Sequence, residues 1–432
     1  MNEVVGVVGV AVVLALAAVG MPVAFAMALV GFAGFSYLIG MPGAFAKLSV
    51  VPFMTASSYD FTVIPLFMLM AFVLYEAGLS RNLYNVTSKW LGALPGGIAI
   101  ATVGACAIFA AVSASSMATA ATMGLVAIPE MKRLKYDPKL ATGSVAAGGS
   151  MGILIPPSGI LILYGILTEQ SIGKLFMAGV IPGVLEAIFY MVVIYGMCKL
   201  RPNLGPRGPK TSFPEKITSL KGSAEIVVLI CFSLGGLFMG WFTPSEAGAV
   251  AAFGAIVLAT LRRRLTWTKF WNACVETIRT TGMIYAMLIG AFLFNFLMAA
   301  SDIPIKLADY VGALPVPPLV IMLVIMVTYI VLGCFLDGLA MIILTMPIFF
   351  PLVLALGFNP IWFGIIVVRV MEIALITPPV GLNVYVICGV AKDVPISTIF
   401  KGIMPFLFAD ICHVALLLTV PQIALFLPGL AR

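Results

Sequence analysis

Five groups of residues in this 432-residue chain could bind an ion or carry charge inside otherwise apolar sequence. The first is Ser113, Ser115 and Ser116 with Thr119, a knot of hydroxyls among alanines and valines. The second is Gly152-Ile-Leu-Ile-Pro-Pro-Ser158-Gly159. Adjacent prolines remove two backbone donors and cannot continue a helix in the ordinary way. The freed carbonyls, at Gly152, Ile155 and Pro156, need protein, water or an ion as partner, or cost several kcal/mol each in lipid. The third group, Ile376-Thr377-Pro378-Pro379-Val380-Gly381, repeats that break 222 residues further on. The fourth is Gly333-Cys-Phe-Leu-Asp337-Gly338, and the fifth is Arg369 with Glu372.

The chemistry these types permit is cation binding without a large fixed charge. Hydroxyls and unwound carbonyls supply oxygens to sodium at half-helix ends in transporters. Ser113, Ser115 and Ser116, facing the carbonyls of Gly152, Ile155 and Pro156, make one such set. Packing between helices also uses small and hydroxylated residues. That reading covers Ala118, Ala120 and Ala121 better than three serines beside a broken helix. Asp337, an acid in an apolar hairpin, is functional by default. Its partner set is Thr377 and the carbonyls around Pro378; capping of the returning helix is the other reading, and the two are compatible. Arg369 and Glu372 share a helical face and can pair. They form either a structural ion pair or part of an anionic substrate's path. Glu246 in Thr243-Pro-Ser-Glu246 reads as a helix cap. Glu186 and Asp410 stand as single acids with no evident task, and His413 as a satisfied interior histidine.

Other chemistries fit the residues less well. Gly148-Gly-Ser150-Met-Gly152 fits G-x-S-x-G, but a nucleophile elbow needs strand–turn–helix flanks and a triad, and the one histidine is remote. There is no phosphate-binding G-x-x-x-x-G-K-[ST] and no H-E-x-x-H. The seven cysteines include no C-x-x-C pair, so neither a disulfide framework nor a zinc site is indicated. The net charge of +7 belongs to loop lysines and arginines that set orientation, not to nucleic-acid binding.

Elements that hold such groups must lie in lipid. The chain is 62% hydrophobic and 9% charged, which makes it an all-α polytopic membrane protein. It is internally duplicated. Gly20-Met-Pro22 matches Phe242-Thr-Pro244, Gly92-Ala-Leu-Pro95 recurs as Gly312-Ala-Leu-Pro315, Ile128-Pro129 matches Met346-Pro347, and the double prolines match each other. All four offsets lie between 218 and 222 residues. The expected halves are 1–200 and 223–432, joined by a basic cytoplasmic linker over 201–222. Each half holds a re-entrant hairpin, at about 96–131 and 316–353, and a broken membrane helix, at about 140–167 and 361–390. The distribution of basic residues places the N-terminus outside and makes the repeats inverted. Residues 80–91 and 262–280 read as amphipathic arms on the membrane surface.

The chain resembles the large permease subunit of tripartite ATP-independent periplasmic (TRAP) transporters over nearly its full length. The stretches that carry the resemblance are Gly20-Met-Pro-Val-Ala-Phe25, Ser113-Ala-Ser-Ser-Met-Ala-Thr119, Ala147-Gly-Gly-Ser-Met-Gly-Ile-Leu-Ile-Pro-Pro-Ser158, Phe242-Thr-Pro-Ser-Glu-Ala247 and Glu372-Ile-Ala-Leu-Ile-Thr-Pro-Pro-Val-Gly-Leu-Asn383. Ala114 stands where the family usually has glycine. The resemblance implies sodium-driven uptake of an organic acid across the bacterial inner membrane. It implies a periplasmic solute-binding protein as partner and a small four-helix membrane subunit, here a separate chain. It implies a scaffold and a mobile transport domain working as an elevator. On the family's pattern Na+ sits at Ser113, Ser115 or Ser116 with Gly152, Ile155 and Pro156, and again at Gly333, Asp337 and Gly338 with Thr377 and Pro378. Substrate lies between the tips near Ser158, Val380 and Asn383. The alternatives are a self-sufficient sodium–anion symporter of related build and, more remotely, an intramembrane hydrolase using Ser150.

Overall fold

Proline, glycine and side-chain caps punctuate the chain into helices, which the computed structural model describes for residues 2–78, 80–113, 115–220 and 223–430. Before the first hairpin come α1 (Asn2–Ala18), α2 (Val23–Ile39), α3 (Met41–Ser57), α4 (Val63–Glu76) and α5 (Ser80–Leu91). The hairpin is α6 (Gly97–Ser113) and α7 (Ser116–Arg133). The first broken helix is α8 (Pro138–Ser150) and α9 (Gly159–Thr168), followed by α10 (Ile172–Leu200). After α11 (Phe213–Leu220) come α12 (Ala224–Phe238), α13 (Pro244–Leu261), α14 (Trp267–Ala300) and α15 (Ile303–Gly312). A second hairpin, α16 (Pro318–Leu332) and α17 (Gly338–Ala355), leads to a second broken helix, α18 (Pro360–Ile376) and α19 (Leu382–Val390). The described chain closes with α20 (Ile396–Thr419) and α21 (Gln422–Leu430).

The protein is all-helical and polytopic. Among the described residues six helices are long and apolar enough to cross a membrane: α4 with the turn before it, α10, α13, α14, α17 and α20. The expected amphipathic arm at 262–280 is different in the structure. From Trp267 it belongs to α14, a single helix of 34 residues. Its charged start, capped by Thr266, continues without interruption into an apolar span, so the change of composition does not mark a change of element. A further helix, α3, lies where the sequence offered no segment; Pro42 fits its first turn, where a missing N–H costs nothing.

Helices sort into two packing groups. α2 packs along α14, which also packs on α3 and α4; α13 packs on α4 and α12. Small residues allow the α2–α14 approach: a Cβ on Gly31 would lie 2.6 Å from the Leu293 carbonyl carbon, and one on Gly290 would lie 2.3 Å from the Ala24 oxygen. The other group joins α6, α7 and α8 to α10, α19 and α20, with α9, α17 and α18 packed beside them. Here Gly143 and Gly402 bring the α8 and α20 backbones together, since a Cβ on Gly143 would stand 2.3 Å from the Gly402 carbonyl oxygen. The groups meet where α4 and α14 face α6, α9 and α17. The 201–220 linker is tied down: Tyr136 Oη donates to the Pro206 carbonyl at 2.7 Å and accepts from the Ile98 amide at 3.1 Å, while Gly96 N donates to Gly205 O.

Candidate functional site

Two hairpin tips and two helix breaks converge on the seam between the groups. The first tip is built from its own hydroxyls. Ser113 Oγ and Thr119 Oγ1 share a hydrogen bond of 2.6 Å, and Thr119 Oγ1 also donates to the Ser115 carbonyl at 2.9 Å. Ser115 Oγ caps α7 by accepting from the Ala118 amide. The first break lies directly against this tip: a Cβ on Gly152 would stand 2.7 Å from the Ser115 carbonyl oxygen and 2.9 Å from Thr119 Oγ1. Ser113, Ser115, Thr119 and the Gly152 backbone therefore share one spot, rich in oxygen and without a charge. Ala114 lies outside the described residues.

The break has a local cause. After Ser150 the chain tightens into a 3-10 turn over Met151–Ile153, and Pro156 and Pro157 then offer no amide to continue it. Ser158 restarts the helix: its Oγ donates to the Ile153 carbonyl and accepts from the Leu161 amide at 3.2 Å. Ser158 is fully buried with its hydroxyl committed, so it braces the break and does not open toward a substrate. Ile155 turns its side chain toward Gly183 of α10, and Pro156 lies against Gly179 of the same helix.

In the second half Asp337 stands at the N-terminus of α17, close to the amides of Leu339 and Ala340. Gly338 lets this tip press on Ile160 of α9 and Met371 of α18. Gly333 packs against Ala374, so close that a Cβ would lie 2.3 Å from the alanine methyl. Thr377 ends α18 with its hydroxyl turned back to the Ile373 carbonyl at 2.6 Å. Pro378 is exposed, Val380 partly so, and Gly381 takes a positive φ of 60° before α19 begins. The structure thus gathers Gly333, Asp337 and Gly338 against α9 and α18, while Thr377 spends its hydroxyl within its own helix.

Asn383 joins the halves. It is buried, and its carboxamide pairs with the hydroxyl of Ser116: Ser116 Oγ donates to Oδ1 at 3.0 Å, and Nδ2 lies 2.7 Å from the same hydroxyl. Nδ2 also reaches the Ala146 carbonyl of α8 at 3.4 Å. One amide therefore links the first tip, the first broken helix and the second broken helix.

Both tips line one cavity of about 270 Å³. Ser113, Ser115, Ser116, Asp337 and Gly338 supply its polar wall, with Gly159 and Ile160 from the first break and Leu375 and Leu382 from either side of the second. The opposite wall comes from α4 and α14: Met68, Phe72, Met283 and Ile284, with Thr280 as its one polar member. Arg369 does not reach this space. It is fully buried, and its guanidinium is held by Glu186, Glu372, Asp410 and His413. Ser150, the serine of the G-x-S-x-G match, donates to the Ala147 carbonyl at 2.6 Å inside α8.

The sequence matches a known family over most of its length. The description "Tripartite ATP-independent periplasmic transporter, DctM component" fits residues 10–423. The chain belongs to the DctM family of TRAP transporters. Among relatives of this permease, the C4-dicarboxylate TRAP transporter large permease protein of Pseudomonas aeruginosa is 36% identical over 393 residues, covering 91% of each chain. The sialic acid TRAP transporter large permease protein of Vibrio cholerae is 33% identical, covering 95% of each chain. In fold the permease is similar to the YdaH transporter of Alcanivorax borkumensis, with a TM-score of 0.68 over 91% of this chain and 90% of that one, at 16% identity. The relatives are transporter permeases; this DctM-family chain is a multi-span transport protein and not an enzyme.

The sequence missed one set of residues. Glu186, Asp410 and His413, read singly, gather around Arg369. Their signal was available in principle, because ionisable groups in apolar segments have to find each other rather than lipid.

Proposed function

We propose that the chain is the permease of a sodium-coupled uptake system for a carboxylate substrate in the bacterial inner membrane, with its N-terminus on the periplasmic side. The observation that carries this reading is the single cavity onto which both hairpin tips open, with hydroxyls from one and a carboxylate from the other. Sodium at the first tip takes oxygens from Ser113, Ser115 and Ser116 and from the backbone at Gly152, Ile155 and Pro156. A second ion takes Asp337 and the carbonyls of Gly333, Gly338, Thr377 and Pro378. Two cations beside one cavity make a positive site for an anion without a buried arginine, with Val380 and Asn383 framing it. The cargoes for which the two TRAP relatives are named, C4-dicarboxylates and sialic acid, are carboxylates, which supports an organic acid here.

Transport proceeds by an elevator motion of two inverted repeats. The apolar wall from α4 and α14 supports this reading, because it gives the α6–α10 and α16–α21 group a face without hydrogen bonds to slide along. The permease works with a separate small four-helix subunit and a periplasmic solute-binding protein. Reconstituted uptake tests the reading. Accumulation should require sodium, the small subunit and the cognate binding protein together. Full uptake by the permease alone would establish a self-sufficient symporter instead, and uptake indifferent to sodium would remove the ion sites.

A further inference from the structure

Away from the cavity wall, α10, α18 and α20 enclose a polar cluster with no exposure: Glu186, Arg369, Glu372, Asp410 and His413. Arg369 Nη1 stands 3.0 Å from Glu186 Oε1 and 3.0 Å from Glu372 Oε2, and Nη2 donates to Asp410 Oδ1. Arg369 Nε donates to His413 Nδ1 at 3.0 Å. An imidazole that accepts at Nδ1 is neutral and keeps its proton on Nε2. Tyr190 Oη adds a donor to Asp410 Oδ1 at 2.6 Å. One cation therefore faces three carboxyl groups.

With all three ionised, the cluster would hold two uncompensated negative charges out of reach of water, an arrangement that buried groups avoid by taking up protons. Four carboxyl oxygens are open to carry them. Glu186 Oε1 and Oε2, Glu372 Oε1 and Asp410 Oδ2 have no hydrogen-bond partner; Glu186 Oε1 is near Arg369 Nη1 but outside its donor direction. Glu186 Oε1 and Glu372 Oε2 both crowd the same nitrogen, each 3.0 Å from Arg369 Nη1, and protonating one of the two acids relieves the like charge that this brings together. The other packed elements supply no counter-charge. Lys139 of α8 and Lys174, Lys199 and Lys401 on α10 and α20 are exposed, and the hydroxyls of Tyr164 and Tyr329 bond elsewhere, to Pro360 O and Thr345 Oγ1.

We propose that this cluster is a proton-binding site: it holds two protons beside Arg369, one of them on the Glu186–Glu372 pair, and release of that proton to solvent at alkaline pH takes the protein out of its transport-competent arrangement. The helix that carries Arg369 and Glu372 runs on to Leu375 in the cavity wall, six residues or about 9 Å further. A change in charge at the cluster therefore acts on the end of the same rigid element that shapes the cavity. The sodium sites at the tips are separate groups, and the proposal stands whether or not sodium drives uptake.

Infrared difference spectra between neutral and alkaline pH, in sodium-free buffer, test it on the purified protein. The wild type should show a protonated-carboxyl band at neutral pH that is lost at alkaline pH. The band should weaken in E186Q and in E372Q, each of which mimics the protonated state. In reconstituted uptake the alkaline decline should move up by at least about one pH unit in these variants. A packing defect would lower uptake at every pH without moving the curve, so the position of the limb is the readout. If one variant fails to fold, the other tests the proton of the same pair. Absence of a protonated-carboxyl band in the wild type, or an unmoved alkaline limb in both variants, would overturn the proposal. A band that vanishes on adding sodium at neutral pH would also overturn it, assigning a metal cation in place of the protons.

Discussion

Adding one methyl group at Gly152 is the sharpest test of the first ion site. Gly152→Ala would put a Cβ 2.7 Å from the Ser115 carbonyl oxygen and 2.9 Å from Thr119 Oγ1. Ordinary carbon–oxygen contact begins near 3.4 Å, so the tip must retreat by about 0.7 Å or the break must bend. Overpacking of this kind costs about 1–3 kcal/mol. A sodium ion that needs tip and break together pays that cost on binding, and 1–3 kcal/mol corresponds to about 5–150-fold weaker affinity. The assay is a sodium titration of uptake by the reconstituted system, read as the half-saturating concentration. Gly196→Ala is the control, because nothing lies within 4 Å of a Cβ there. A Gly152→Ala protein that remains folded and keeps the wild-type sodium half-saturation would refute the assignment of this seam to an ion.

Other expectations follow from the same geometry. Asp337→Asn removes the one carboxylate of the cavity wall and should flatten the sodium dependence of uptake, measured by varying external sodium. Asn383→Ala leaves the Ser116 hydroxyl buried and unpaired, at about 1–3 kcal/mol, and should lower thermal stability and uptake together. Tyr136→Phe cuts the linker's bond to Pro206 and leaves the Ile98 amide open, which should cost about 1–2 kcal/mol in a denaturation assay without altering sodium affinity. At the surface, its hydrogen bond with Lys132 holds the Asp393 carboxyl below its ordinary value of 3.8. The stabilisation from that pair is present above the ordinary aspartate value and is lost as pH falls through the lowered one. The difference in Tm between wild type and Asp393→Asn should accordingly persist at neutral pH and vanish in acid.

What the sequence disclosed depended on whether a signal was local. The double proline at 378–379 marks the end of α18 and the one at 156–157 the gap before α9, because a missing amide acts on its own turn. Thr243 and Glu246 form the reciprocal cap that their spacing predicts, with Thr243 N donating to the glutamate at 2.8 Å. Local charge misled at α14, where Lys269, Glu276 and Arg279 sit on the first turns of a helix that simply continues into lipid. Ser158 and Thr377 illustrate a different failure. Their hydroxyls were expected to face a ligand, yet both are spent on neighbouring carbonyls, those of Ile153 and Ile373. A short hydroxyl beside a break can satisfy the backbone it interrupts, and nothing in residue type separates that use from binding. The buried cluster was legible only as Arg369 with Glu372, three residues apart. Glu186 and Asp410 lie on other helices, and only packing shows that they meet.

The apolar wall contributed by Met68, Phe72, Met283 and Ile284 also bears on leakage. An ion that left its oxygens at a tip would find almost no replacement across the cavity and would have to be stripped bare against thioether and aromatic surface. That wall is an electrical insulator. In the proposed sodium-coupled cycle it would penalise slippage, in which cations run down their gradient without cargo, without any gate having to close. Tightness of coupling would then be a property of what α4 and α14 lack, and placing a carboxylate at Met283 should convert an obligatory exchange of load into a cation leak.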